Sequence, residues 1–255
     1  MDPYTPLFDR VLLTNDDGIS APGLAALEVI ATKLAREVWV VAPAHDQSGV
    51  SHAISIHHPL RVETLGERRF AVQGTPGDCV VLALQHLMPH KPTLILSGVN
   101  RGANLGVETA FSGTVGAAMA GMLLGVPSIA LSQAFTKGQP VKWATAEALG
   151  VDVLARVAQA DWAAGSCLNI NFPDVEPAAC KGTQYTSQGT GRLNGIQVTG
   201  QQDPRNVEYF WLNMSRTESF DEEGTETHGV FNGYVTVTPL TFERTAQRVL
   251  DRFER

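Results

Sequence analysis

Between residues 11 and 171, short runs of Val, Ile and Leu alternate with longer stretches of helical period, and this alternation restricts the fold more than any other feature. A run that is apolar at every position has no solvent face. It reads as a strand buried on both sides of a parallel sheet, with the amphipathic stretches as crossover helices. Strands are expected at residues 11–14, 38–42, 93–97, 128–132 and 168–171, and helices at 22–34, 76–87, 114–124 and 143–158. Pro22 and Pro76 suit first helical turns, where a missing N–H leaves no bond unmade. Residues 57–72 alternate in polarity and read as a side hairpin. After residue 180 the alternation gives way to Gly, Thr, Gln and Asn with scattered aromatics; strands are expected at 209–212 and 234–237 and a terminal helix at 241–254. The chain thus divides into an α/β core at 1–180, a mostly parallel sheet with flanking helices, and a C-terminal antiparallel β extension at 181–255 within one overall unit.

Charge and cysteine usage narrow the class of partner. With 26 acidic against 19 basic residues the net charge is -7, so no basic field exists to hold a nucleic-acid backbone. The longest apolar passage, 117–131, is broken by Gly121, Gly125 and Pro127 and is too short to cross a bilayer. The N-terminus has no basic region followed by an apolar stretch, and Cys79, Cys167 and Cys180 are odd in number and far apart, so a reduced, cytoplasmic protein is expected. Expected partners therefore exclude nucleic acid and membrane.

In an open parallel sheet, ligands bind beyond the carboxyl ends of the strands. Three such ends carry oxygen donors: Asn15-Asp16-Asp17-Gly18 after the first strand, Ser48-Gly49 after the second, and Gly98-Val99-Asn100 after the third. Adjacent carboxylates repel one another unless a cation or proton intervenes. A set of Asp16, Asp17, Ser48 and Asn100 contains hard donors only, which favours one Mg²⁺ or Mn²⁺, with Ca²⁺ as a possible occupant in a crystal, over Zn²⁺. Ser112-Gly113-Thr114 opens the third helix, whose free N–H groups suit a phosphate, and Asn104 and Asn15 complete the expected phosphate-binding set. Asp16 and Asp17 are the candidate catalytic residues, Asp16 as the firmer ligand and Asp17 as acceptor of a water proton. Each piece has a plainer reading: Asp-Asp-Gly as a turn, Ser112-Gly113-Thr114 as a helix cap.

Other chemistries lack their spacing. No Gly-x-Gly-x-x-Gly follows the first strand, and none of the five lysines closes a phosphate-binding loop. His86 and His90 stand four apart without the residues of a zinc-protease helix, and Cys79 reads as a small buried residue.

The ordered motifs resemble the survival protein E (SurE) family of metal-dependent 5′/3′-nucleotidases. They are Leu13-Thr14-Asn15-Asp16-Asp17-Gly18, Ala21-Pro22-Gly23, Val41-Ala42-Pro43, Gln47-Ser48-Gly49, Gly74-Thr75-Pro76, Ser97-Gly98-Val99-Asn100, Phe111-Ser112-Gly113-Thr114, Asn169-Ile170-Asn171-Phe172-Pro173 and 233–240. The resemblance implies a Rossmann-like fold, with metal ligands at Asp16, Asp17, Ser48 and Asn100. It implies hydrolysis of nucleoside monophosphates to nucleoside and phosphate, with short polyphosphate as a further substrate in some members. It also implies a homodimer or homotetramer whose C-terminal extension is exchanged between subunits. Ala44-His45-Asp46, Ser187 and Thr225-Glu226-Thr227-His228 depart from the pattern usual in the family. A covalent aspartyl-phosphate phosphatase and a nucleotide-binding regulator without turnover are the competing readings; the first places one residue between its two aspartates, whereas here they are adjacent.

Overall fold

The structure, a computed structural model, describes residues 6–217 and 222–253. The expected N-terminal reading at Met1 to Thr5 and the last expected helical residue, Glu254, lie outside them. Nine strands form one sheet: β1 (Phe8–Thr14), β2 (Ala35–Pro43), β3 (Val62–Gly66), β4 (Arg69–Val72), β5 (Leu94–Arg101), β6 (Ser128–Gln133), β7 (Cys167–Phe172), β8 (Thr183–Tyr185) and β11 (Val235–Leu240). Their order is β3-β4-β2-β1-β5-β6-β7-β11-β8. Every pairing from β4 to β7 is parallel, as fully apolar runs such as Leu12, Leu13, Ile95 and Leu96 require.

Alternate residues face opposite layers. Leu13, Leu94 and Leu96 pack with Leu24, Leu27 and Leu154 of the helices α1 (Pro22–Leu34) and α4 (Trp143–Val157). Leu12, Ile95 and Val41 pack instead with Val80 and Ala117 of α2 (Pro76–Leu82) and α3 (Gly113–Leu123). The 76–87 helix ends at Leu82 and continues as one wider π turn, Ala83–Leu87.

Two expectations change with the long-range pairing. The 57–72 hairpin is not a side feature, because β4 pairs in parallel with β2 and extends the sheet at its edge. In the C-terminal part, β11 joins β7 antiparallel and takes β8 as its parallel neighbour, both in the main sheet. Among the described residues, only β9 (Leu193–Gln202) and β10 (Glu208–Arg216) form a separate antiparallel hairpin. The helices α5 (Glu226–Phe231) and α6 (Gln247–Phe253) complete the chain, the second starting later than residue 241. Among the described residues no helix is long and apolar enough to cross a membrane.

The order sets the site. From β1 the chain moves one way to β2, then returns to place β5 on the other side of β1. A crevice opens at such a reversal, outside the carboxyl ends of the two strands.

Candidate active site

Asp16 and Asp17 follow the end of β1, and Asn100 is the last residue but one of β5, so the two sides of the reversal carry these three residues. Asp16 is buried at 4% exposure. Its Oδ1 accepts the Thr114 hydroxyl at 2.5 Å, from the first turn of α3. That helix approaches closely because Gly113 has no side chain: a Cβ there would lie 2.8 Å from the Cβ of Asp16. Burial, offset in part by the Thr114 bond and reinforced by repulsion from Asp17 and Asp46, pushes the Asp16 carboxyl up to about 6. Asp17 is raised too, by burial and by Asp46, against the N–H of Arg101, which donates to its Oδ2 at 3.1 Å.

The chain bends at Asp16 and Asp17, and Asp16 lines a cleft of about 260 Å³ together with Ser48, Asn100, Asn104 and Ser112. Asp17 opens onto the adjoining space with Asp46 and Trp143, and Arg101 borders both. The Asn100 amide N–H donates to Gly102 O at 2.8 Å, which leaves its Oδ1 as the available donor to a cation. Asp46 accepts the Ser48 N–H at 2.7 Å and shapes the turn that presents the exposed Ser48. His45 is exposed and lines neither space.

The phosphate-side residues divide by role. Ser112 caps α3, its Oγ accepting from Val115 N at 3.1 Å, and also faces the cleft. Thr114 turns its hydroxyl to Asp16. The backbone N–H groups of Gly113 and Thr114 belong to the first turn, where no intrahelical acceptor exists. Asn15 is fully buried behind the cleft, bonding Gly18 O at 2.8 Å. Asn104 is pinned on three sides: its N–H to Asn171 Oδ1, its Nδ2 to Ser132 Oγ, and its carbonyl to Asn169 Nδ2.

A divalent cation fits this site by charge and donor type. Neither Asp16 nor Asp17 forms a salt bridge among the described residues, and each carboxyl is held above its ordinary range by burial and like charge. No group of three His, Cys, Asp or Glu converges for a metal among the described residues, so the hydroxyl and amide oxygens of Ser48 and Asn100 are needed to complete the set. That all-oxygen set suits Mg²⁺ or Mn²⁺ rather than a thiolate- or imidazole-seeking ion.

Comparison with known proteins places the chain in a family. The sequence model of the family described as Survival protein SurE matches residues 11–195, more than half of the chain. The chain belongs to the SurE family. It is 57% identical over 99% of its length to a Burkholderia lata protein named 5′-nucleotidase SurE 1, covering 98% of that protein. It is 46% identical to 5′-nucleotidase SurE of Paramagnetospirillum magneticum, over 92% of this chain and 91% of that one. The crystal structure of SurE protein from Aquifex aeolicus superposes with a TM-score of 0.82 at 36% identity, over 96% of this chain and 98% of that one.

Arg101, Phe135, Glu108 and Arg216 also line the cleft and were not among the sequence candidates. Arg101 had a signal, since it follows Asn100 directly at a strand end. Glu108 and Arg216 had none: they meet across 108 residues, Nη2 to Oε2 at 2.6 Å.

Proposed function

We propose that this chain is a divalent-metal-dependent phosphomonoesterase that releases nucleoside and phosphate from nucleoside 5′(3′)-monophosphates, with short polyphosphate as a secondary substrate, in the cytoplasm. One observation carries the reading: the buried Asp16 carboxylate, without a salt-bridge partner among the described residues, lies against the N-terminus of α3, so a cation site and an anion site share one cleft. The curated relatives named as 5′-nucleotidases support the choice of ester.

Asp16, Asp17, Ser48 and Asn100 would hold one Mg²⁺ or Mn²⁺. The chemistry such an ion supplies is Lewis-acid polarisation of the phosphoryl group and a lowered pKa for water. Thr114 fixes Asp16, and the N–H groups of Gly113 and Thr114, with Ser112, hold the phosphoryl oxygens as charge develops on them. A water oxygen bonds to phosphorus as the ester P–O bond breaks, Asp17 accepts the proton that the water releases, and the departing nucleoside oxygen takes its proton from solvent. Asn104 faces the cleft with its amide held by Ser132, and Asn15 braces the turn behind it through Gly18 O.

Residues 181–255 act as the assembly extension, exchanged in a homodimer or homotetramer, while 1–180 carry the chemistry. In favour of this, β9 and β10 expose Ile196, Val198, Phe210, Trp211 and Leu212.

The test is phosphate release from adenosine monophosphate by chelator-treated protein, before and after Mg²⁺ or Mn²⁺ is restored. Metal-dependent release supports the reading. Nucleotide binding with no release under any divalent ion would make the chain a non-catalytic binder.

A further inference from the structure

We propose that the cavity beside the metal cleft is the nucleoside subsite, and that Phe135 is the platform on which the base stacks. This rests on the nucleotidase reading and names where the non-reacting half of its substrate sits. The cavity measures about 330 Å³, larger than the cleft itself, and lies within the range of small-molecule sites. The two spaces are contiguous: Gly102, Ala103, Glu108, Phe135 and Arg216 line both. A monoester bound with its phosphate at α3 has its ester oxygen directed into one of the adjoining spaces. The space beside Trp143 shares only Arg101 with the cleft, whereas this one shares five residues with it and adds apolar walls from Leu105, Ala134 and Val175.

Phe135 follows β6 at the border and is half-buried, so it presents surface to both spaces. The Arg101 guanidinium lies 5.1 Å from its ring centroid, while the Arg101 N–H holds Asp17. One residue thus joins the aromatic platform to the catalytic carboxylates. Gly102, at a φ of +122°, keeps the ring edge free of any nearer side chain: a Cβ there would stand 3.7 Å from Phe135 Cε1. At the border, the Glu108–Arg216 pair forms a polar lip over which ribose passes. Deeper in, Asp174, held by Thr136 and Lys142 at 2.6 Å each, keeps a second lone pair on each oxygen for a base edge. Stacking dominates this site, so discrimination among bases is expected to be weak.

The experiment compares adenosine monophosphate with ribose 5-phosphate, which lacks a base, in wild type, Phe135→Ala and Phe135→Trp. Adenosine binding to the chelator-treated protein is measured alongside by calorimetric titration. Phe135→Ala should lower kcat/KM on the nucleotide, mostly through KM, by on the order of tenfold more than it lowers kcat/KM on ribose 5-phosphate. Phe135→Trp should restore the difference. Val175→Trp, which fills the cavity from its far wall, should abolish adenosine binding while sparing ribose 5-phosphate. An unchanged substrate ratio in both Phe135→Ala and Val175→Trp overturns the subsite even with wild-type nucleotidase activity intact. Adenosine binding that depends on Phe135, in a protein that hydrolyses no nucleotide, keeps the subsite and overturns the function. Absence of both overturns both.

Discussion

At the scale of single residues, Asp16 sets stability against chemistry. Its carboxyl is raised from an ordinary 3.8 to about 6, chiefly by burial, so the fold prefers the protonated form. Stability from this group is complete below about pH 4, where folded and unfolded chains are both protonated, and is lost as pH rises through about 6. The loss is on the order of 3 kcal/mol by the usual conversion of pKa to free energy. Asp16→Asn escapes it: in chelator the variant should melt several degrees above wild type at pH 8, with no difference at pH 4. With metal restored, the same variant should lose at least ~10²-fold in turnover. Equal melting curves at pH 8 would show that the buried carboxylate is not strained, and near-normal turnover that it is not needed. Thr114 tests the support of Asp16 separately. Thr114→Val leaves Oδ1 buried without its donor, which costs roughly 1–3 kcal/mol; Thr114→Ser should recover both stability and rate in paired melting and kinetic assays.

At the scale of elements, the site depends on how closely α3 and the β2 loop approach β1. Ala is a better helix former than Gly, yet Gly113→Ala would push a methyl against Asp16, so activity should fall by more than stability does. Metal-titration curves that overlay wild type would remove that argument. Asp78 anchors the loop that carries Ser48. Its carboxylate accepts from Ser55 N, Ser55 Oγ and Thr75 N, the last as part of a reciprocal cap on α2. Asp78→Ala should lower stability by about 2–4 kcal/mol in denaturant melts and open residues 44–58 to limited proteolysis. Much of this level was legible beforehand, because the aliphatic runs mark the buried strands and each ligand candidate lies at the carboxyl end of one of them or in the loop that follows. Asp16, Ser48 and Asn100 could be ordered by their strands alone. What could not be read were contacts between residues far apart in sequence. Thr114 reaches Asp16 across 98 positions, and no local pattern records that a helix-opening hydroxyl will turn backwards. Phe135 looked like an ordinary residue after a strand, since its partner Arg101 belongs to another βα unit. The insertion of β11 between β7 and β8 is equally nonlocal, and the polar composition of its surroundings gives it the look of a peripheral strand.

At the scale of the molecule, the β9–β10 hairpin stands outside the main sheet and exposes Phe210 at 61%, Trp211 at 60% and Leu212 at 72%. Isolated two-stranded hairpins are marginal in water, so a second chain is the natural cover for this one. Light scattering should report a homo-oligomer, and the double change Trp211→Asp with Leu212→Asp should shift it to a smaller species; a monomeric wild type would end the assembly reading. The arm is not free at its base, where Arg216 grips Glu108 with two nitrogens at the rim of the catalytic cleft. A neighbour that tugs on the arm therefore tugs on the rim of the proposed nucleotide site. Turnover by dilute protein should differ from turnover by concentrated protein, with the chemistry itself untouched.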